Sequence, residues 1–225
     1  MGMMQILLML AAVVLVGCGE KATIADPFVE KAVRKSLEKS EGQLTAADLG
    51  KVTSLRLPFP QITDVGLKEV AKLQKLEELY LYRTQITDAG LKEVAKLQGL
   101  EQLFLDYTKV TDDGLKNLTN LHNLTYLSLH GTQITGAGLK EVAKLQKLEA
   151  LHLARTQITD AGLKEVAKLQ KLTGLAFSGP QITDAGLKEV AKLQKLEELY
   201  LPTQITKAGV AELKKALPNC KIYGP

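Results

Sequence analysis

One phrase returns along this chain at a fixed interval. Gln61 to Leu76 reads Gln-Ile-Thr-Asp-Val-Gly-Leu-Lys-Glu-Val-Ala-Lys-Leu-Gln-Lys-Leu, and almost the same words start again at Gln85, Gln157 and Gln181. A copy with Gly136 in place of Asp starts at Gln133, a diverged copy at Lys109, and a shorter one at Gln204. The interval is 24 residues, and 23 at the last step. One unit of this size cannot bury an apolar face alone, so the copies must stack and share a core. The expected architecture is a solenoid, and solenoids bind far more often than they catalyse.

The period changes inside each unit. Leu79 and Leu81 alternate with other residues, as in a half-buried strand, whereas Leu91, Val94 and Leu97 recur every three residues, as on one side of a helix. Thr87-Asp88 just ahead is a helix N-cap signal. Each unit is therefore read as strand, turn and helix, and the fold class as α/β.

The phrase Leu-x-x-Leu-x-Leu-x-x-Thr-x-Ile-Thr-Asp-x-Gly-Leu resembles the leucine-rich repeat, in a form where Thr takes the usual Asn position. The resemblance implies a curved parallel sheet on the concave face and helices on the convex face. It assigns residues 52–225 to seven repeats and a C-terminal half-repeat, the ending from Ala216 to Ile222 being similar to that of bacterial members. It also implies a ladder in which Thr84, Thr108, Thr132 and Thr156 hydrogen-bond the backbone of a neighbouring turn. Pro60 and Pro180 interrupt that ladder.

Residues 26–51 are read as an N-terminal helical cap, similar to those of internalin-like proteins. Asp26-Pro27 starts a helix well. Phe28, Val29, Ala32, Val33 and Leu37 share its apolar face, Gly42 ends it, and Thr45 caps a second short helix.

The first 17 residues carry no charged side chain, and Ile6 to Val16 is an unbroken apolar run. That run is too short to span a bilayer, which needs roughly 20 residues, and fits a secretory signal. Leu15-Val16-Gly17-Cys18 resembles a bacterial lipobox. The resemblance implies cleavage before Cys18, a lipid anchor on its thiol, and a tether over 18–25. It points to the cell envelope, with Gly19 favouring the outer membrane or cell surface over the inner membrane. The alternative is an uncleaved apolar terminus with a chance Cys. Of the two cysteines, Cys220 is then left without a partner and is read as a small buried hydrophobe.

Variation between the copies gathers on one face. Side chains flanking the strand leucines should point out of the concave sheet. They include Arg56, Phe59, Tyr80, Tyr82, Arg83, Phe104, Asp106, Tyr107, Tyr126, His130, His152, Arg155 and Tyr200. Tyr and Arg are favoured interface anchors, so these are the candidate ligand-binding residues. Aromatic residues also simply suit strands, but Val and Ile would serve that end equally and are absent there. Ala150, Ala154, Gly174, Ala176, Ser178 and Gly179 leave a shallower floor in repeats five and six.

The helix side carries rows of Lys with Glu between them, read as a solvated face. Net charge is only +4. His130 and His152 are staggered by two strand positions and read as polar contacts rather than metal ligands. No nucleophile–base, phosphate-loop or dinucleotide motif stands in a supporting context. The expectation is a monomeric, membrane-anchored, non-enzymatic protein that binds a protein or peptide and uses no cofactor, metal or nucleic acid. A structural envelope lipoprotein without a specific ligand is the alternative.

Overall fold

The computed structural model describes residues 20–57 and 60–224. The signal segment 1–17, Cys18 and Phe59 lie outside the described residues. Two cap helices come first, α1 (Pro27–Ser36) and α2 (Ala46–Leu49). Strands then alternate with helices: β1 (Ser54–Arg56), α3 (Asp64–Val70), β2 (Glu78–Tyr80), α4 (Asp88–Val94), β3 (Gln102–Phe104), α5 (Asp112–Leu115), β4 (Tyr126–Ser128) and α6 (Gly136–Val142). The series continues with β5 (Ala150–Leu153), α7 (Asp160–Val166), β6 (Gly174–Phe177), α8 (Asp184–Val190), β7 (Glu198–Tyr200), α9 (Lys207–Ala216) and β8 (Lys221–Tyr223).

The described strands form one parallel sheet in sequence order. Register follows the repeat, with Leu79 opposite Leu103, Leu103 opposite Leu127 and Leu127 opposite Leu151. Each turn buries the same set: Leu79, Leu81, Ile86, Leu91, Val94, Leu97 and Leu100 are all at most 1% exposed. Stacked turn on turn, these sets make one continuous core. The diverged repeat has a shorter helix. Asn117, Thr119 and Asn120 favour helices less than the residues they replace, and a 3-10 turn over Lys116–Asn120 follows α5.

The cap covers the first layer. Asp26 accepts from the Phe28 and Val29 N–H groups at the start of α1, and Thr45 forms a reciprocal capping box with Asp48 at α2. Val29, Ala32, Val33, Leu44 and Leu49 join the core. Two expectations need correction here. Phe28 is 40% exposed and not part of the buried face. The helix also ends at Ser36, well before Gly42, because Glu38 already takes a left-handed backbone conformation (φ 52°).

The threonine ladder is also different from the expected one. Thr84, Thr108, Thr132 and Thr156 are buried, but each hydroxyl donates to the carbonyl three residues upstream in its own turn, at 2.6–2.7 Å. They close the turn after each strand and do not tie one repeat to the next.

The tie between repeats is an aspartate. Asp64 accepts the Thr87 N–H at 2.8 Å and the Thr87 hydroxyl at 2.7 Å, one turn on. Asp88 does the same for Thr111, Asp112 for Thr135 and Asp160 for Thr183. Asp184 receives Thr206 likewise, and those bonds hold its carboxyl below the ordinary value. This explains the glycine of Thr-Asp-x-Gly. A Cβ on Gly90, Gly114, Gly138, Gly186 or Gly209 would collide with the aspartate of the preceding turn. The series has one gap: Gly136 offers no carboxylate, and Thr159 makes no side-chain cap bond.

Asp112→Ala should lower stability by about 1–3 kcal/mol, because it strands a backbone donor and a hydroxyl. Gly136→Asp would add the missing carboxylate, but its Cβ would stand 3.2 Å from Gly162 Cα, so its effect should be smaller than the loss at Asp112→Ala. Thermal melting of the two variants beside the wild type checks that order.

Candidate functional site

Because register is kept from strand to strand, side chains at one repeat position face their equivalents about 4.8 Å away. On the concave face this spacing turns aromatic residues into a stack. The Arg56 guanidinium lies 4.2 Å from the Tyr80 ring centroid, and the Tyr80 and Phe104 rings are 4.3 Å apart and 10° from parallel. Phe104 meets Tyr126 at 4.6 Å. Tyr126 sits two residues earlier on its strand, opposite Gln102. It leans into the row because the residue in register with Phe104 is the small, buried Ser128. Tyr126 then meets His152 edge-on at 5.2 Å, with its hydroxyl 3.1 Å from Nδ1. The row runs from Arg56 to His152 without a break.

A second row lies just past the strand ends. Arg83, Tyr107 and Arg155 take left-handed φ values of 55–56°, and Gly131 is at 67°. This conformation is uncommon for residues with side chains. It is held by hydrogen bonds to the next turn: Arg83 N–H donates to Asp106 O at 2.7 Å, and Tyr107 N–H to His130 O at 2.8 Å. Arg83 lies over the Tyr107 ring at 5.4 Å. That ring covers Gly131, where a Cβ would meet it at 2.6 Å. Arg155 Nη1 donates to the Tyr107 hydroxyl at 3.2 Å, and that hydroxyl lies 2.9 Å from His130 Nε2.

Arg56, Tyr80, Tyr82, Arg83, Phe104, Asp106 and Tyr107 line a cavity of about 430 Å³ between the two rows. Asp106 at its edge accepts from the Ser128 hydroxyl at 2.8 Å. Burial pushes the Tyr126 phenol up to about 12, and Asp106 and Tyr80 add to the shift. Burial also holds His152 below the ordinary histidine value, against the pull of Asp106 and helped by His130. The two histidines serve separate tyrosines. Among the described residues no group of His, Cys, Asp and Glu side chains could hold a metal ion.

Tyr200 stands apart from the main cluster. Ala176 and Gly174 separate it from His152, and it stacks instead on Tyr223 of β8 at 4.6 Å and 14°. Tyr223 was missed by sequence reasoning, although it falls in register with Tyr200. Its place one repeat after Tyr200, at the shortened spacing of 23 residues, was the signal. Cys220 is half-buried against the last core layer rather than enclosed, and burial raises its thiol pKa.

One of the two lysine rows on the convex side is paired with glutamates. Lys72, Lys96, Lys144, Lys168 and Lys192 each pair with the Glu three residues before, at 2.6–2.7 Å. Exposed pairs of this kind contribute about 0–1 kcal/mol each. Among the described residues no helix is long and apolar enough to cross a membrane.

A family described as "Leucine Rich repeat" matches residues 72–95, 120–143 and 144–167. The chain is similar in structure to an internalin, inlF, of Listeria monocytogenes, with 24% identity and a TM-score of 0.69. That match covers 88% of this chain, which spans 55% of the internalin's length. It is also similar to internalin C2 of the same organism, with 27% identity, a TM-score of 0.62, and 89% and 93% of the two chains covered. A comparison with curated protein sequences finds no match. The sheet, the repeats and these likenesses make the fold a leucine-rich-repeat solenoid.

The depressed His152 pKa has a definite sign. A histidine that resists protonation when folded binds its proton more readily unfolded, so its contribution is full above 6.5 and is lost as pH falls below that value. His152→Gln should therefore lose less melting temperature than the wild type between about pH 7 and about pH 5. Parallel melts at the two pH values test this.

Proposed function

We propose that this protein binds another protein or peptide through its concave face, and that it is not an enzyme. The observation that carries the reading is the placement of chemical variety. Between repeats the buried and convex positions are nearly constant, while the concave positions hold Tyr, Phe, Arg, His and Asp. A face that served only packing would need no such change from one turn to the next. The binding centre is proposed at repeats two to four, around Tyr80, Tyr82, Phe104, Tyr107 and Tyr126, with Arg83 and Asp106 alongside. Truncating a tyrosine anchor at the centre of an interface costs about 2 kcal/mol or more. Tyr82→Ala and Tyr107→Ala should therefore weaken a partner recovered from envelope extract on the full chain. Lys92→Ala and Lys164→Ala on the helix side should not. Equal effects from both faces would count against a concave site.

The ring-on-ring stacking favours a second reading, a structural envelope protein whose aromatic row stiffens the sheet. On that reading the same tyrosine variants lower melting temperature and leave every interaction untouched.

The lipobox-like Leu15 to Cys18 supports a lipid anchor at Cys18 and a place in the cell envelope, at the outer membrane or cell surface. Acyl chains contribute about 0.8 kcal/mol per buried methylene, so two or three hold a protein firmly. Cys18→Ala should leave an unprocessed chain that takes up no labelled fatty acid. Mass spectrometry showing an unmodified Cys18 in protein from the native cell would sink the anchor.

A further inference from the structure

The cavity on strands β1 to β3 does not stop at the sheet. A second cavity of about 570 Å³ is lined by Phe28, Lys31, Ala32 and Lys35 of α1 together with Arg56, Leu57, Gln61 and Tyr82. Arg56 and Tyr82 line both. The two are one groove, running from the exposed side of the cap helix over the edge of the sheet to Tyr107.

Cations outnumber carboxylates along this groove. Lys31, Lys35, Arg56 and Arg83 are exposed along it, and among the described residues none of them has a carboxylate within ion-pair distance. Of the nearby acids, Glu30 and Asp48 have cationic partners, whereas Glu78 and Asp106 accept only from hydroxyls and keep their charge. Glu30 is held by Arg34 at 2.8 Å, and Glu78 accepts from the Ser54 and Tyr80 hydroxyls at 3.0 Å. Asp48 takes Lys39 at 2.7 Å, and Asp106 accepts from Ser128. The two guanidiniums are held over the Tyr80 and Tyr107 rings. A guanidinium fixed on a ring face keeps its N–H donors directed outward in its own plane, where a carboxylate can take two at once. Between the cations lie apolar surfaces: Phe28, 40% exposed, Tyr82, and the edges of Tyr80 and Phe104.

We infer that this groove receives an acidic polypeptide segment in which Asp or Glu side chains flank an aromatic or large aliphatic one. The carboxylates meet Lys31, Lys35, Arg56 and Arg83, and the apolar side chain enters beside Tyr82. A nucleic acid fits less well, because the faces of Tyr80 and Phe104 are taken by each other and cannot stack on bases. This inference rests on the reading that the concave face binds polypeptide, and it adds the partner's charge and the part played by the cap.

The test is a fluorescence-anisotropy titration of the full chain with a labelled short peptide alternating Glu and Asp with Phe and Leu. Beside it run the Gln/Asn isostere, a single-stranded oligonucleotide and phosphatidylglycerol vesicles. The acidic peptide should bind, more weakly as salt rises, and the isostere about tenfold less well. Lys31→Glu/Lys35→Glu, on the exposed side of α1, should weaken it by about tenfold with melting temperature unchanged, and Arg56→Gln should weaken it by about tenfold beside whatever stability its stack on Tyr80 contributes. Equal binding of the isostere, indifference to both variants, or tighter binding of oligonucleotide or vesicles overturns the inference. If the acidic peptide fails while Tyr82→Ala and Tyr107→Ala still release the partner from extract, the acidic groove is wrong and concave binding stands.

Discussion

A carboxylate at the first residue of most convex helices holds this solenoid in register. The aspartate reaches forward one turn and takes both donors of the next threonine, its backbone N–H and its hydroxyl. That threonine is the N-cap of its own helix. The same group thus ties adjacent turns and fixes where each helix starts. The glycine two residues after the aspartate is the steric counterpart, since only a missing Cβ lets the preceding carboxylate sit down. The leucine core would tolerate small slides between turns, because burial is non-directional. Paired hydrogen bonds to one aspartate do not tolerate them.

Strict register explains the chemistry of the opposite face. Strands about 4.8 Å apart bring equivalent side chains to stacking distance whether or not a ligand is present. A tyrosine and a phenylalanine at one repeat position therefore become an offset pair, worth about 0.5–1.5 kcal/mol beyond their burial. A serine at that position opens a gap that a ring two residues away fills, as Tyr126 does beside Ser128. Where Ala176 and Gly174 follow, nothing is left to stack, and the row ends at His152.

The core and the strand–helix alternation were legible in the sequence, because burial needs only the spacing of apolar residues. The concave residues were legible too, as the positions that vary. The wiring was not. Thr84 and Asp88 are equally constant between copies, and constancy says that a group has a partner, not which one. The buried threonine turned out to bond within its own turn, while the aspartate read only as a capping signal carries the tie between turns. The left-handed backbone at Arg83, Tyr107 and Arg155 was likewise invisible, since neither Arg nor Tyr marks such a conformation. Gly131 and Gly179 at the same repeat position were its one trace. Tyr223 escaped because the shortened last step shifts the count by one.

The gap in the aspartate series falls at a telling place. Gly136 opens α6 and Thr159 caps α7, so the untied junction lies between the fourth and fifth repeats. On the concave side the same junction carries Tyr126 against His152, the last contact of the aromatic row and an edge contact rather than a stack. In a solenoid, stability is close to a sum over neighbouring interfaces. This interface lacks two hydrogen bonds that the others hold, each worth about 0.5–1.5 kcal/mol. The core layers of Leu127 and Leu151 still close it, so the solenoid is continuous. There the missing side chain lets the turns approach through backbone instead: a Cβ on Gly136 would lie 3.2 Å from Gly162 Cα, and a lone parallel bridge joins Thr135 to Gln157.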